Sequence, residues 1–328
     1  MLDASVESPS PAPRRTAGIH HVTAIASDPQ ANVDFFTSVL GLRLVKKTVN
    51  FDDPASYHLY YGDEVGGPGT AMTFFAQPEG GRGARGAGQA IVTSFSVPED
   101  SLAFWNDRLG RLGVETEPEA ERFSRRSIVF YDPDGLRLEL VADPEAATLP
   151  AWRHGPVDVD NAVRGFHSVT LATRTPNKTE RVLADLMGFD REAEEGNYIR
   201  LAAGSPGHPG RRVDLLRTDE PTGWSAVGTV HHVAFRAADD EDELAMRETL
   251  VRAGFRVTDV RERNYFRSVY FREPNGVLFE IATDPPGFAV DEPTETLGTE
   301  LKLPEWLEPR RGKIESALPA IVVRPPGG

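Results

Sequence analysis

Two pairs of adjacent histidines, His20-His21 and His231-His232, and a late glutamate, Glu280, are the residues best suited to do chemistry. The chain has eight histidines, so half of them fall into these two pairs. Adjacent residues on a β-strand point to opposite faces, so one imidazole of each pair at most can reach a common site. Two imidazoles and one carboxylate form the facial triad that holds a non-haem iron with open positions. Glu280 lies within Val277-Leu-Phe-Glu-Ile-Ala282, where a buried carboxylate is costly unless paired or coordinated. The competing reading is an outward-facing strand glutamate. The chain has no cysteine, which excludes thiolate zinc sites, iron–sulfur clusters and a cysteine nucleophile and leaves a metal to His and carboxylate.

Such residues need a scaffold, and the sequence repeats itself in a way that supplies one. Gly18-Ile-His-His-Val-Thr23 matches Gly165-Phe-His-Ser-Val-Thr170. Arg126-Ser-Ile-Val-Phe-Tyr-Asp-Pro-Asp-Gly-Leu-Arg-Leu-Glu139 matches Arg267-Ser-Val-Tyr-Phe-Arg-Glu-Pro-Asn-Gly-Val-Leu-Phe-Glu280, each a strand, a Pro-containing turn closing on Gly, and another strand. These anchors divide the chain into four units of strand, helix and further strands, over 18–86, 88–147, 164–218 and 228–284. The periodicity predicts helices at Asn32 to Leu40, Ser101 to Leu112, Lys178 to Met187 and Asp240 to Ala253.

The repeats also separate the members of each histidine pair. The third unit has His167 at the place of His20 and Ser168 at the place of His21, while the second keeps Glu139 at the place of Glu280 but has no histidine from Ala90 to Val97. Units two and three therefore read as a degenerate copy. The live site belongs to units one and four, with His21, His232 and Glu280 as ligands and His20 and His231 beside them. His58, His154 and His208 match no ligand position and read as structural or exposed.

Fifty acidic against 36 basic residues give a net charge of −14, which repels nucleic acid and anionic membranes. No apolar run approaches the roughly 20 residues of a membrane span. The Ser/Pro/Ala/Arg opening, 1–17, reads as a disordered arm without a signal-peptide core, in a cytoplasmic protein. Residues 148–163 read as a linker. In 286–328, Leu297, Leu303, Trp306, Leu307, Ile314 and Leu318 predict a tail that packs.

With Tyr57-His-Leu-Tyr-Tyr-Gly-Asp63 and Leu303-Pro-Glu-Trp-Leu-Glu-Pro309 added, the chain resembles the ring-cleaving dioxygenases of the vicinal-oxygen-chelate (glyoxalase/bleomycin resistance/dioxygenase) superfamily. Within it, the resemblance is to the hydroquinone and chlorohydroquinone dioxygenase group, over nearly the whole chain. It implies an α+β fold of four βαβββ modules in two tandem domains, 18–147 and 164–285. It further implies Fe(II), or Mn(II), on His21, His232 and Glu280, with His20, His231 and Thr23 around the metal pocket. Arg263 and Tyr265 are implied to lie near an aromatic substrate, Arg263 stabilising an anion and His231, His20 and Tyr265 serving as acid–base groups. The implied reaction inserts O2 into a hydroquinone-type or related phenolic ring. The partners are then a small aromatic substrate and O2, with no nucleic acid or membrane and with a homo-oligomer left open. Three other readings remain. One is a catechol extradiol dioxygenase; another is a glyoxalase-type isomerase or lyase, expected to use Zn or Ni and often four protein ligands. The third, a metal-free binding protein on the same fold, sits poorly with two intact histidine pairs.

Overall fold

The computed structural model describes residues 14–323. Residues 1–13 of the expected arm and 324–328 of the tail lie outside the described residues. Each of the four units forms one strand, one helix and three further strands. The first contains β1 (Ile19–Ala26), α1 (Pro29–Asp34), β2 (Arg43–Asn50), β3 (Asp53–Gly62) and β4 (Ala71–Ala76). The second contains β5 (Gln89–Val97), α2 (Leu102–Arg111), β6 (Ala120–Arg122), β7 (Arg125–Tyr131) and β8 (Arg137–Ala142). The third contains β9 (Phe166–Thr173), α3 (Pro176–Arg181), β10 (Asp190–Glu195), β11 (Tyr198–Ala202) and β12 (Arg212–Arg217). The fourth contains β13 (Val230–Ala237), α4 (Asp240–Arg252), β14 (Arg261–Glu262), β15 (Arg267–Arg272) and β16 (Leu278–Thr283).

Local chemistry explains the helix starts. The Asp28 side chain accepts from the N–H groups of Gln30 and Ala31, with Pro29 at the first turn, and Asp239 accepts from the Asp242 N–H ahead of four acidic residues. The repeat reaches even backbone irregularity, because the helices of units one and three both end in a π-turn, Phe35–Val39 and Val182–Leu186.

The strands form two eight-stranded sheets, in the orders β14-β15-β16-β13-β1-β4-β3-β2 and β10-β11-β12-β9-β5-β8-β7-β6. Each sheet thus joins one unit from each half of the chain, through the antiparallel pairs β1–β13 and β5–β9. The expected division into 18–147 and 164–285 is a division of sequence, and the sheets form across it. One large apolar core, which includes Trp105, Phe95, Phe166 and Phe235, runs through both sheets and the helices packed on them.

The chain ends dock on this body. Thr16 is buried and its hydroxyl donates to the Arg236 carbonyl at 2.7 Å, while Arg15 donates to the Gly188 carbonyl. Residues 14–17 are therefore held in place, which corrects the expectation of disorder for that part of the arm. In the tail Leu297, Leu303, Leu307, Ile314 and Leu318 are buried, whereas Trp306 is half exposed with its ring against Phe51. The tail is also pinned by charge, since buried Lys46 reaches Asp291 at 2.6 Å and Glu292 at 2.5 Å. Among the described residues no helix is long and apolar enough to cross a membrane.

Candidate metal centre

Strand register brings the three expected ligands together. His21 of β1 lies opposite Ala234 of β13, and Ala234 lies beside Glu280 of β16. His232 is two residues before Ala234 and so shares its face. Ala234 occupies the middle of this row, and its methyl leaves room for the flanking side chains to meet. His232 Nε2 is 2.8 Å and His21 Nε2 3.4 Å from Glu280 Oε2, and the two Nε2 atoms are 3.3 Å apart. All three residues are buried, and this is the only cluster of three or more His, Cys, Asp or Glu donors among the described residues that could hold a metal ion. Both oxygens of Glu280 lack an aligned hydrogen-bond donor. A buried carboxylate left so, facing two imidazole nitrogens, fits a cation between them.

Electrostatics agree with this geometry. Burial alone would push the Glu280 carboxyl up, but His21 and His232 hold it well below the usual range. Burial lowers His232, with Glu280 opposing, and burial together with His232 brings His231 down to about 3. His20 and His58 are also held well below the usual range, first by burial. The first member of each pair orients the second: His20 Nδ1 lies 2.9 Å from His21 Nδ1, and His231 Nδ1 lies 2.7 Å from His232 Nδ1. For the Nε2 lone pairs of His21 and His232 to face a cation, their protons must sit on Nδ1 and be donated to His20 and His231.

A narrow pocket opens on His21 and His232, bounded by His58, Tyr60, Phe75, Arg263, Phe266 and Tyr270. Arg263 is largely buried and its guanidinium lies 3.2 Å from Asp52 at the mouth and 5.5 Å from the Tyr270 ring centre. Its pKa is raised despite burial, through Tyr270 and Asp52. Tyr270, directly opposite Glu280 in the sheet, has its phenol pushed up by burial and then by Glu280. His58 links to the wall behind it, with the Tyr60 hydroxyl 2.8 Å from Nδ1, Thr73 Oγ1 2.9 Å from Nε2, and Thr23 Oγ1 2.8 Å from Thr73.

The expected residues do not all converge. Arg263 lines the pocket, His231 stands one contact behind it through His232, Thr23 two contacts behind through Thr73 and His58, and His20 faces a different cavity. Tyr265 must be corrected: it lies before β15, its hydroxyl donates to Asp291 at 3.0 Å, and it borders the other cavity. The tyrosine at the donors is Tyr270, on a strand paired with that of Glu280. His58, read from the sequence as structural or exposed, is buried and stands in the pocket wall. Alternation in Tyr57-His-Leu-Tyr60 puts His58 and Tyr60 on one face, a signal available in the sequence.

The second sheet repeats the register without the donors. Ser94 lies beside Glu139 and opposite Ser168, as Ala234 lies beside Glu280 and opposite His21. Val92 then stands where His232 does. Glu139 accepts from Ser94 Oγ at 2.5 Å, Ser127 Oγ at 2.7 Å and Arg122 at 3.1 Å. Arg200, in the register place of Tyr60, forms a two-point ion pair with Asp214 at 2.7 Å. A guanidinium and two hydroxyls thus satisfy the carboxylate that faces imidazoles in the other sheet.

Comparison with known proteins agrees with this architecture. The sequence profile of the "Glyoxalase/Bleomycin resistance protein/Dioxygenase superfamily" matches residues 18–140 and 165–281. A Bacillus subtilis (strain 168) protein named "Putative ring-cleaving dioxygenase MhqO" is 48% identical over 95% of this chain and 98% of its own. The "Chlorohydroquinone/hydroquinone 1,2-dioxygenase" of Sphingobium indicum is 35% identical over 90% of this chain and 94% of its own. A crystal structure described as a "putative dioxygenase" from Bacillus subtilis superposes with a TM-score of 0.91 at 47% identity, covering 95% of this chain and 99% of that one. Glyoxalase I from Zea mays, 14% identical, shares the fold with a TM-score of 0.60 over 81% of this chain and 92% of its own.

Proposed function

The chain belongs to the Glyoxalase/Bleomycin resistance protein/Dioxygenase superfamily, and from that premise we propose that it is a ring-cleaving dioxygenase acting on a hydroquinone-type phenol. His21, His232 and Glu280 hold the divalent metal, Fe(II) in this reading. The observation that carries it is the convergence of these three buried donors beside a pocket that His21 and His232 line together with aromatic rings and one arginine. Bound there, iron supplies the electronic coupling between an electron-rich ring and dioxygen that neither partner achieves alone.

The protein's own groups do the rest. Phe75, Phe266 and Tyr270 give a flat substrate apolar walls and exclude water from the reacting edge. Arg263, cationic and largely buried, stabilises the phenolate and the negative charge that develops on ring oxygens. Tyr270, its phenol pushed up by burial and so protonated at neutral pH, would donate a hydrogen bond to a substrate oxygen in the pocket. His58, neutral and bonded to Tyr60 and Thr73, can pass a proton away from the pocket. His231 fixes the His232 tautomer and supports turnover through it. A four-ligand isomerase site has no support, because Glu139 lies in the other sheet and is already satisfied.

The test is metal analysis of anaerobically purified protein, followed by oxygen uptake with hydroquinone, catechol and the methylglyoxal–glutathione adduct. Stoichiometric iron and one O2 consumed per hydroquinone are expected. Faster turnover of catechol would move the assignment to the extradiol class, and isomerisation of the adduct without oxygen uptake would sink the dioxygenase reading.

A further inference from the structure

The pocket beside His21 and His232 is too small for the ring it is read as binding. Its volume is about 30 Å³, against the roughly 150 Å³ that holds a benzene molecule, so a wall must move before any aromatic enters. The walls are not equally free to do so. His21, His58, Tyr60, Phe75, His232 and Tyr270 stand on strands that are hydrogen-bonded to a neighbour on each side. Asn50, Phe51 and Asp52 form instead the tip between β2 and β3, and the ladder of these two strands slips register between Val49 and Asn50. The tip is joined to the sheet through that irregular step. Within it the Asn50 side chain accepts from the Asp52 N–H at 3.0 Å, so residues 50–52 move as one piece.

Charge holds the tip on one side and a ring on the other. β2 and β14 are the two ends of the strand order, yet the sheet curls until the tip after β2 meets β14 and the loop that follows it. The Asp52 carboxylate lies 3.2 Å from Arg263 and 3.6 Å from Arg261. Phe51 sets its ring edge-on to Trp306 of the tail, 5.6 Å between centres. The Arg263 side chain is 16% exposed and that of Asp52 61%, so the pair straddles the boundary between pocket and solvent. Such a pair is weak enough to break often and open enough to salt to be screened. The facing side of the mouth is firmer, since the Arg263 N–H donates to the Phe266 carbonyl at 3.0 Å and the Tyr265 carbonyl accepts from Gly287 at 2.9 Å.

We propose that residues 50–52 are the gate of the pocket and that Asp52 is its latch. Release of Asp52 from Arg263 and Arg261 lets the tip swing out and admit a ring-sized molecule, and its return places the Arg263 guanidinium against the bound ring. Asp52 is thus a positioning residue that acts through Arg263. The inference rests on the reading that an aromatic enters this pocket, but its test uses neither metal nor O2, so the two fail separately.

The chain has no cysteine, so His58→Cys in the full chain puts a single thiol in the pocket wall, on β3 rather than on the tip. It is labelled with two neutral reagents, benzyl and methyl methanethiosulfonate, each of which forms a mixed disulfide and releases methanesulfinate. The ratio of benzyl to methyl rates reads access for a ring and cancels the reactivity of the thiol itself. Adding Asp52→Asn should raise that ratio about fivefold, the margin of an ion pair at the edge of solvent, whereas Asp52→Glu keeps the charge and should leave the ratio near the parent value. Raising salt from about 0.01 M to about 1 M shortens the screening length from about 30 to about 3 Å. The ratio should rise with it in the parent but not in Asp52→Asn, a response that altered packing would not give. An equal ratio in the parent and in Asp52→Asn would overturn the proposal, as would an equal salt response in both. Labelling as expected in a chain that consumes no O2 would leave the gate in place and remove only the reaction.

Discussion

An imidazole whose only partner is another imidazole is an orienting group first. His231 Nδ1 is the hydrogen-bond partner of His232 Nδ1, so His231→Ala should weaken metal binding about 10–100-fold, whereas His232→Ala, His21→Ala or Glu280→Ala removes one of three donors and should abolish stoichiometric binding. Titration against a competing chelator separates these outcomes, and equal losses in His231→Ala and His232→Ala would mean that the pair was divided wrongly. Glu139→Ala should leave metal content unchanged, because its carboxylate is bonded to Ser94, Ser127 and Arg122 in the other sheet. Tyr270→Phe should cost more in kcat than Tyr265→Phe, since Tyr270 lines the pocket and the Tyr265 hydroxyl is bonded to Asp291. The donor residues were legible because the repeat exposes them: His167 survives where Ser168 replaces the second histidine. Tyr270 was not, because choosing between two tyrosines five residues apart needs the pairing of Tyr270 with Glu280, a register that local sequence does not encode.

At the scale of the element, the Pro-containing turns that betray the repeat are held by a shared device. In Asp132-Pro-Asp-Gly135 one oxygen of Asp132 accepts from the N–H groups of Asp134 and Leu136, at 2.9 and 2.8 Å. In Glu273-Pro-Asn-Gly276 one oxygen of Glu273 accepts from Asn275 and Val277, both at 2.9 Å. Asp132 is nearly buried, and burial lifts its carboxyl to about 7. A raised acid contributes nothing below its unfolded pKa. As pH climbs from about 4 to about 7 the unfolded chain ionises while the folded one resists, so stability falls, and above about 7 the loss is complete. Asp132→Asn keeps the accepting oxygen and removes the charge. Its advantage over wild type in urea unfolding should be absent near pH 4 and grow to about 1–4 kcal/mol by pH 8, at 1.36 kcal/mol per pKa unit. An advantage that does not change with pH would refute this account. Turns, strands and helix positions of this kind follow from local chemistry. The expected helix at Asp240 to Ala253, for example, forms over Asp240–Arg252. What fills a site once its metal donors are lost does not follow in that way: Arg122, remote from Glu139 in sequence, completes the second sheet's charge network.

At the scale of the molecule, the repeat order 1-2-3-4 along the chain becomes 1 with 4 and 2 with 3 in space. The candidate metal centre is therefore shared between the halves, with His21 supplied by one and His232 and Glu280 by the other, joined through the β1–β13 pairing. The tail strengthens the dependence, since it belongs to the C-terminal half but clamps β2 and β3 of the N-terminal half through Lys46 to Asp291 and Glu292, and through the Tyr57 hydroxyl to the Pro319 carbonyl. Each half alone would expose the edges of β1 and β5, or of β9 and β13, with the apolar faces they bury. Cutting the chain between 148 and 163 should accordingly give two fragments that bind metal poorly apart. Refolded together, they should form one 1:1 complex with one metal per pair, measured by size-exclusion chromatography and metal analysis. A monomeric C-terminal fragment holding a full equivalent of metal would show that His232 and Glu280 suffice without His21, and the shared centre would have to be abandoned.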